Sequence, residues 1–268
     1  MRGALWVWLL PGILACSSTP EGADAGAGED AARADAGQDA GQGSGGDAGA
    51  LDAEPSLAER SDEFEGAQLR PGWSVLRPEA VDVAVSGGSL VLTLNRSVLW
   101  FNAERAVLVS QPIRGNFVAT TVAHVRKRTD PAAPPDATIH LGGIMARDPS
   151  SAAENYVFIV VGRDENDISV ESKTTKASVS TYDGPPWPSA DAELRLCRVG
   201  STFTMLKRRV GDPSWTVART EVRADLPATL DVGVNAYAFL MAGGTPDFRA
   251  SFERVVFAEA TTGADCER

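Results

Sequence analysis

The chain has 268 residues, 43% of them hydrophobic and 23% charged, and a formal net charge of −11. That balance argues against a nucleic-acid binder, whose phosphate contacts reward a positive surface. Residues 17–60 carry ten acidic and two basic side chains and no aromatic ring, so the first quarter lacks the material for a core, and one globular domain of roughly 200 residues is expected behind it.

At the N-terminus Arg2 precedes an apolar segment from Ala4 to Ala15, broken by Pro11 and Gly12 and followed at once by Cys16. This is the pattern of a signal peptide over residues 1–15, too short for a permanent membrane span. Ile13-Leu14-Ala15-Cys16 resembles the lipobox of bacterial lipoproteins. The resemblance implies a diacylated and N-acylated Cys16, a palmitate-type anchor, and, with Ser17 following, an address in the cell envelope at the outer membrane. Residues 16–61 then form an Ala/Gly/Asp-rich segment that cannot bury enough apolar surface to offset its ordering entropy, and it reads as a disordered tether.

The domain is expected over residues 62–260, with a short tail at 261–268. It opens with Asp62-Glu63-Phe64-Glu65-Gly66 and Gly72-Trp73-Ser74-Val75-Leu76, two short apolar pieces split by Arg70-Pro71. A clear hairpin follows: Val81, Val83 and Val85 alternate up to Ser86-Gly87-Gly88, and Leu90, Leu92 and Leu94 alternate away from it. Strand periodicity continues over Ala106–Ile113 and Phe117–Val125. The central pair is Thr138–Asp148 and Asn155–Gly162, two apolar runs rich in Ile, Val, Tyr and Phe, in which Gly142-Gly143 permits close approach of a neighbouring strand.

Asp167–Lys173 and Lys176–Tyr182 read as a more polar hairpin suited to an exposed sheet rim. Tyr182-Asp183-Gly184-Pro185-Pro186-Trp187-Pro188 is a stiff loop, because proline fixes its own φ and restricts the residue before it. Ala192–Val199, Thr202–Lys207, Ser214–Ala218, Thr229–Tyr237 and Phe248–Phe257 complete the series. More than ten short strands without sustained helical periodicity indicate an all-β chain, an antiparallel two-sheet β-sandwich. The basic clusters Arg126-Lys127-Arg128 and Lys207-Arg208-Arg209 read as solvated strand ends.

The order of Asp62-Glu63-Phe64-Glu65-Gly66, Trp73, Gly88-Ser89-Leu90, Gly115-Asn116-Phe117, Gly142 to Asp148, Asn155-Tyr156-Val157, Leu194 to Gly200, Trp215 and Val232-Gly233 resembles the concanavalin A-like lectin/glucanase superfamily. Within it the sequence is similar to the jelly-roll domain at the C-terminus of β-xylosidases and in bacterial proteins of unknown function. The resemblance spans roughly Asp62 to Ala260 and implies a jelly roll whose concave face often binds carbohydrate. Membership alone does not establish binding.

Enzymes of the superfamily's laminarinase type carry two glutamates on one strand, because retaining hydrolysis needs two carboxyl groups on one face about 5 Å apart. The nearest string, Glu165-Asn166-Asp167-Ile168-Ser169-Val170-Glu171, sets its second glutamate too late and reads as a solvated loop, so no catalytic residue is assigned. The two histidines, His124 and His140, lie in strands without a partner at ligand spacing, and no metal site is assigned. No cofactor is expected, although the resemblance makes calcium conceivable at Asp62, Glu63 and Asp247 if the first and last strands pair.

Cys197 and Cys266 remain as a candidate disulfide in an oxidising compartment. Sugar binding needs aromatic faces and planar polar groups; the candidates are Trp100, Asn102, Arg147, Tyr156, Trp187 and Tyr237, each with a plainer role in packing or, for Arg147, in a rim salt bridge. Trp73 and Trp215 read as structural. The reading is therefore a surface lipoprotein with a non-catalytic, lectin-like domain, monomeric and directed at a polysaccharide or other glycan. An envelope protein–protein interaction or structural module is the alternative, and a glycoside hydrolase the less favoured one.

Overall fold

In the computed structural model the described residues are 54–165 and 167–268. The signal peptide, Cys16 and nearly all of the expected tether lie outside them. The chain forms β1 (Ser74–Leu76), β2 (Val81–Val85), β3 (Leu90–Leu94), β4 (Val107–Arg114), β5 (Phe117–Arg126), β6 (His140–Arg147), β7 (Tyr156–Arg163), β8 (Ile168–Lys176), β9 (Val179–Asp183), β10 (Asp191–Val199), β11 (Thr202–Arg208), β12 (Thr216–Val222), β13 (Thr229–Ala238) and β14 (Arg249–Ala258). Sheet 1 runs β1-β4-β13-β6-β7-β8-β9 and sheet 2 runs β12-β11-β10-β5-β14-β3-β2, and every strand pair is antiparallel. The fold is an antiparallel β-sandwich, as the strand pattern predicts.

Alternation explains how the sheets stack. On β6 the even-numbered residues face sheet 2: Ile144 and Ala146 are buried, and a Cβ at Gly142 would lie 3.0 Å from Ala250 Cβ. Across the sheet Val232, Val234, Val157, Ile159 and Val161 share that face, opposite Ala119, Leu194, Leu196 and Phe252 in one apolar core. Burying side chains of this size stabilises the sandwich by about 1.5–3 kcal/mol each. Gly143 fits the expected close approach, since a Cβ there would sit 2.2 Å from the carbonyl oxygen of Ile159 on the next strand.

Three expectations change. Asp62 makes an isolated bridge to Val255 on β14 rather than opening a strand, and packing begins before it: Leu57 lies on the core, and Ser61 Oγ accepts from the Phe257 backbone at 2.8 Å. The β8–β9 hairpin turns at Ala177-Ser178, both in the left-handed region at φ 47° and 63°, so β8 runs three residues beyond Lys173. Finally, β8 is buried along almost its whole length instead of forming an exposed rim. Its burial comes from a third layer.

Candidate functional site

After β3 the chain leaves sheet 2, and residues 95–106 cross the outer face of sheet 1. One end is fixed to β13, where Val98 and Ala238 exchange backbone hydrogen bonds of 2.9 and 3.1 Å. The other is fixed to β9: Asn102, at φ 53°, donates its backbone N–H to Ser180 Oγ at 2.8 Å and accepts from the Ser180 backbone at Oδ1 at 3.0 Å. Between these anchors Trp100 points into the sheet and is fully buried, donating from Nε1 to the Val107 carbonyl at 3.2 Å. Its ring meets Tyr156 edge-on at 5.3 Å. The strap closes the face that carries Trp100, Tyr156 and Tyr237, three of the residues considered for sugar binding.

Beneath the strap lies a charged cluster in an aromatic cage. Lys173 Nζ sits 3.0 Å from Glu171 Oε1, donates to the Trp100 carbonyl at 3.0 Å, and lies 5.0–5.5 Å from the ring centres of Phe101, Phe158, Tyr182 and Tyr237. The Tyr237 hydroxyl donates to Glu171 Oε1 at 3.0 Å. Burial pushes the Glu171 carboxyl up against the opposing pull of Lys173, and burial followed by the neighbouring carboxylate pushes the Tyr237 hydroxyl well above its ordinary range. The ammonium is satisfied by a carboxylate, a carbonyl and π-faces, the set that a desolvated cation requires. Glu171 thus belongs to a buried strand position and not to the solvated loop its sequence neighbours suggest.

The sequence-based candidates divide accordingly. Tyr156 and Tyr237 share this face with Trp100, and all three are buried, so none offers a ring to solvent. Arg147 is also buried, gripped by Glu154 through bonds of 2.8 Å from Nε and 2.8 Å from Nη2, while Arg105 of the strap reaches the same carboxylate. Asn102 is exposed, but its amide oxygen serves the strap. Trp187 is half-buried, donates to the Asp191 carbonyl at 3.1 Å and lies under Lys207 Nζ at 5.0 Å, so Lys207 is a packed residue and not a solvated end. The structure brings Trp100, Tyr156 and Tyr237 together as a floor and leaves Trp187 apart.

What the strap leaves open is a pocket at the β8–β9 rim. Asp164, Glu165, Asp167, Ser169, Tyr182, Asp183, Gly184 and Pro186 line about 330 Å³, near the small end of ligand pockets. Tyr182 is 46% exposed, with Phe101 edge-on to its ring at 6.3 Å. Burial and the carboxylates of Glu165 and Asp164 raise its hydroxyl pKa. Sequence reasoning passed over these residues, although the stiff Gly184-Pro185-Pro186 loop directly after Tyr182-Asp183 was the signal that could have located them.

The outer face of sheet 2 is organised differently. His124 sits between Asp191 (Nδ1, 2.6 Å) and Glu253 (Nε2, 3.0 Å), and Arg126 also pairs with Asp191. Trp215 is held between Arg195 and Arg208, whose guanidinium carbons lie 4.1 and 4.2 Å from its ring centre. A Cys197–Cys266 disulfide pins the C-terminal turn to β10 over a small apolar patch with Val118, Leu206 and Ala260. The residues considered for calcium do not assemble. Asp62 accepts from the Phe64 backbone, Arg70 and Trp73 at 2.9–3.0 Å, whereas Asp247, eight residues before Asp62's bridge partner Val255, is bound by Thr129. Among the described residues no group of three or more His, Cys, Asp or Glu side chains is placed to hold a metal ion.

No protein-family model and no curated protein matches the chain. Solved structures do. A functionally unknown protein from Saccharomyces cerevisiae superposes with a TM-score of 0.57 at 12% identity, over 71% of this chain and 98% of its own. A xylan β-1,4-xylosidase from Bacillus halodurans gives 0.58 at 16% identity, over 74% of this chain but only 39% of the enzyme. Rv0315 of Mycobacterium tuberculosis, described as an immunostimulatory antigen and pseudo β-1,3-glucanase, gives 0.50 at 12%, over 75% and 98%. At such identities the likeness is one of fold alone, a two-sheet antiparallel β-sandwich.

Proposed function

We propose that this protein is a non-catalytic, glycan-binding β-sandwich held at the bacterial outer membrane by a lipid on Cys16, acting as a monomer. The observation that carries the binding site is the rim pocket, where an exposed tyrosine face stands among carboxylates able to accept sugar hydroxyls. The non-catalytic reading is supported by Glu171, which is buried beneath the strap and already occupied by Lys173 and Tyr237, a poor position for the paired carboxyl groups of a glycosidase. Function thereby moves from Trp100 and Trp187 to Tyr182.

Binding to an array of polysaccharides tests this. Tyr182→Ala is expected to weaken retention at least about tenfold, the scale of one lost stacking contact, with the fold retained by circular dichroism at a lowered thermal midpoint, because the ring also packs on Lys173 and Phe101. Wild-type-like retention by that variant would place the site elsewhere. Cys16→Ser is expected to release the protein from membranes; membrane retention of the variant would remove the anchor from the proposal. A second reading, an envelope protein-interaction module, is favoured by Val179, 65% exposed on edge strand β9, and Val222, 69% exposed on edge strand β12. Capture of a defined outer-membrane protein that is lost on Val179→Lys would favour that reading over the glycan.

A further inference from the structure

The rim pocket has an unbalanced charge. Asp164, Glu165, Asp167 and Asp183 line it with no Lys, Arg or His beside them, and none of the four enters an ion pair among the described residues. Several carboxylates elsewhere on the domain are answered by cations: Glu154 by Arg147 and Arg105, Glu193 by Arg208 and Arg254, Asp191 by Arg126 and His124. The nearest lysines form no ion pair with these four: Lys173 lies under the ring of Tyr182 paired with Glu171, and Lys207, which feels the charge of Asp183, lies against Trp187.

A second feature is independent of the charge. Ser169 is 2% exposed, and its hydroxyl has no hydrogen-bond partner. A buried polar group left unpaired costs roughly 1–3 kcal/mol, and such groups in native proteins call for a missing partner. The hydroxyl borders the space beside Gly184: a Cβ placed there would lie 3.6 Å from Ser169 Oγ and 3.0 Å from Asp164 Oδ2. The absent side chain leaves a gap flanked by a carboxylate oxygen and an unused hydroxyl.

Resting on the glycan reading above, we infer that the sugar recognised at the rim pocket carries a free amine. An ammonium supplies three donors, suited to Asp164 Oδ2 and Ser169 Oγ together, and charge-assisted hydrogen bonds are about twice as strong as neutral ones. The pyranose ring lies on the exposed face of Tyr182, and the remaining carboxylates add attraction that salt screens. A metal ion fits less well, because the carboxylates are not grouped at ligating positions.

The test is calorimetric titration of the full-length protein with a β-1,4-linked glucosamine trisaccharide and its fully N-acetylated counterpart, in which each ammonium is replaced by a neutral and bulkier acetamide; the carboxylate variant below separates the charge from the added bulk. The amine form is expected to bind at least about tenfold tighter at low ionic strength, with the gap narrowing as salt rises and closing in the Asp164→Asn/Asp183→Asn variant. Tyr182→Ala should weaken both. Equal affinities that both depend on Tyr182 would overturn the amine specificity and leave the glycan reading standing. Tight binding of the amine form that ignores Tyr182→Ala and is matched by spermidine would overturn the saccharide. Stoichiometric calcium uptake that displaces the amine would assign the pocket to a metal, and failure of both oligosaccharides would overturn the amine proposal and leave the glycan reading to stand or fall on the polysaccharide array.

Discussion

Each outer face of this sandwich carries its own cover, and the two covers are held by opposite means. On sheet 1 the strap of residues 95–106 lies over a buried lysine and carboxylate, with aromatic rings and two hydrogen bonds to Ser180 as its fastenings. On sheet 2 the C-terminal turn Gly263–Cys266 is held by a disulfide and by Arg195, which donates from Nη1 to the Cys266 carbonyl at 2.9 Å, and farther along β5 and β10 the same face carries partly exposed ion pairs such as His124 with Asp191. The first cover depends on charges that solvent cannot screen, the second on a covalent bond and charges that solvent partly screens. The contrast explains why the face expected to bind ligand is closed: its polar floor residues are committed to holding the chain's own strap.

The largest expected effect follows from breaking the buried pair on one side. Lys173→Met leaves Glu171 without its cation and removes the donor to the Trp100 carbonyl, so destabilisation of about 3–5 kcal/mol is expected in denaturant unfolding. Adding Glu171→Gln to the same chain should restore most of that loss, because the double variant no longer buries an unpaired charge. No recovery in the double variant would show that Lys173 acts through packing alone. Removing the sheet 2 fastening with Cys197→Ala/Cys266→Ala frees a loop with a sequence separation of 69, and a loss of about 2–4 kcal/mol is expected. With its tie to β10 gone, the segment around residue 266 should become an early site of proteolysis in that variant while the strap stays protected. Equal protection of both segments would erase the distinction between the covers.

The two covers were also unequally legible. The hairpin Val81–Val85 and Leu90–Leu94 is visible residue by residue, because apolar alternation brackets the left-handed pair Gly87-Gly88. The next left-handed pair, Ala177-Ser178, has neither glycine nor asparagine to announce it, so the sequence pattern ends β8 at Lys173, puts the turn at Thr174-Thr175 and starts the next strand at Lys176. Glu171 and Lys173 look solvated in sequence because their burial is imposed by Trp100 and Phe101, some seventy residues earlier in the strap laid over the same sheet. Trp100 itself is open in sequence to both a stacking and a packing role, because an irregular stretch gives no sign of which face it crosses; the anchors at Ala238 and Ser180 are visible only in three dimensions. Tyr182 was hidden for the same reason, since it belongs to a rim that exists only once the strap has closed the rest of the face.

The smallest expected effect sharpens the comparison on the solvent-screened side. Hydrogen bonds from Asp191 and then Glu253 raise the pKa of His124 in spite of its partial burial. A histidine with a raised native pKa adds stability that is fully present below its unfolded value of about 6.5 and is lost as the pH climbs through the native value. Asp191 has the opposite sign: burial would raise it, but His124, Ser189 and Arg126 together hold it low, so its contribution is present above the unfolded value of about 3.9 and fades only in strong acid. His140 carries a native pKa lowered mainly by burial and moves stability the other way, but it is common to wild type and any His124 variant and cancels in their difference. The thermal midpoint of wild type minus that of His124→Gln is therefore expected to be greatest near pH 5–6 and to shrink toward pH 9, with a total change under about 1 kcal/mol, as befits a partly exposed pair. A difference that grows with pH would mean that His124 is held neutral in the native protein, and the face of sheet 2 would then resemble the buried face of sheet 1 more than its exposure suggests.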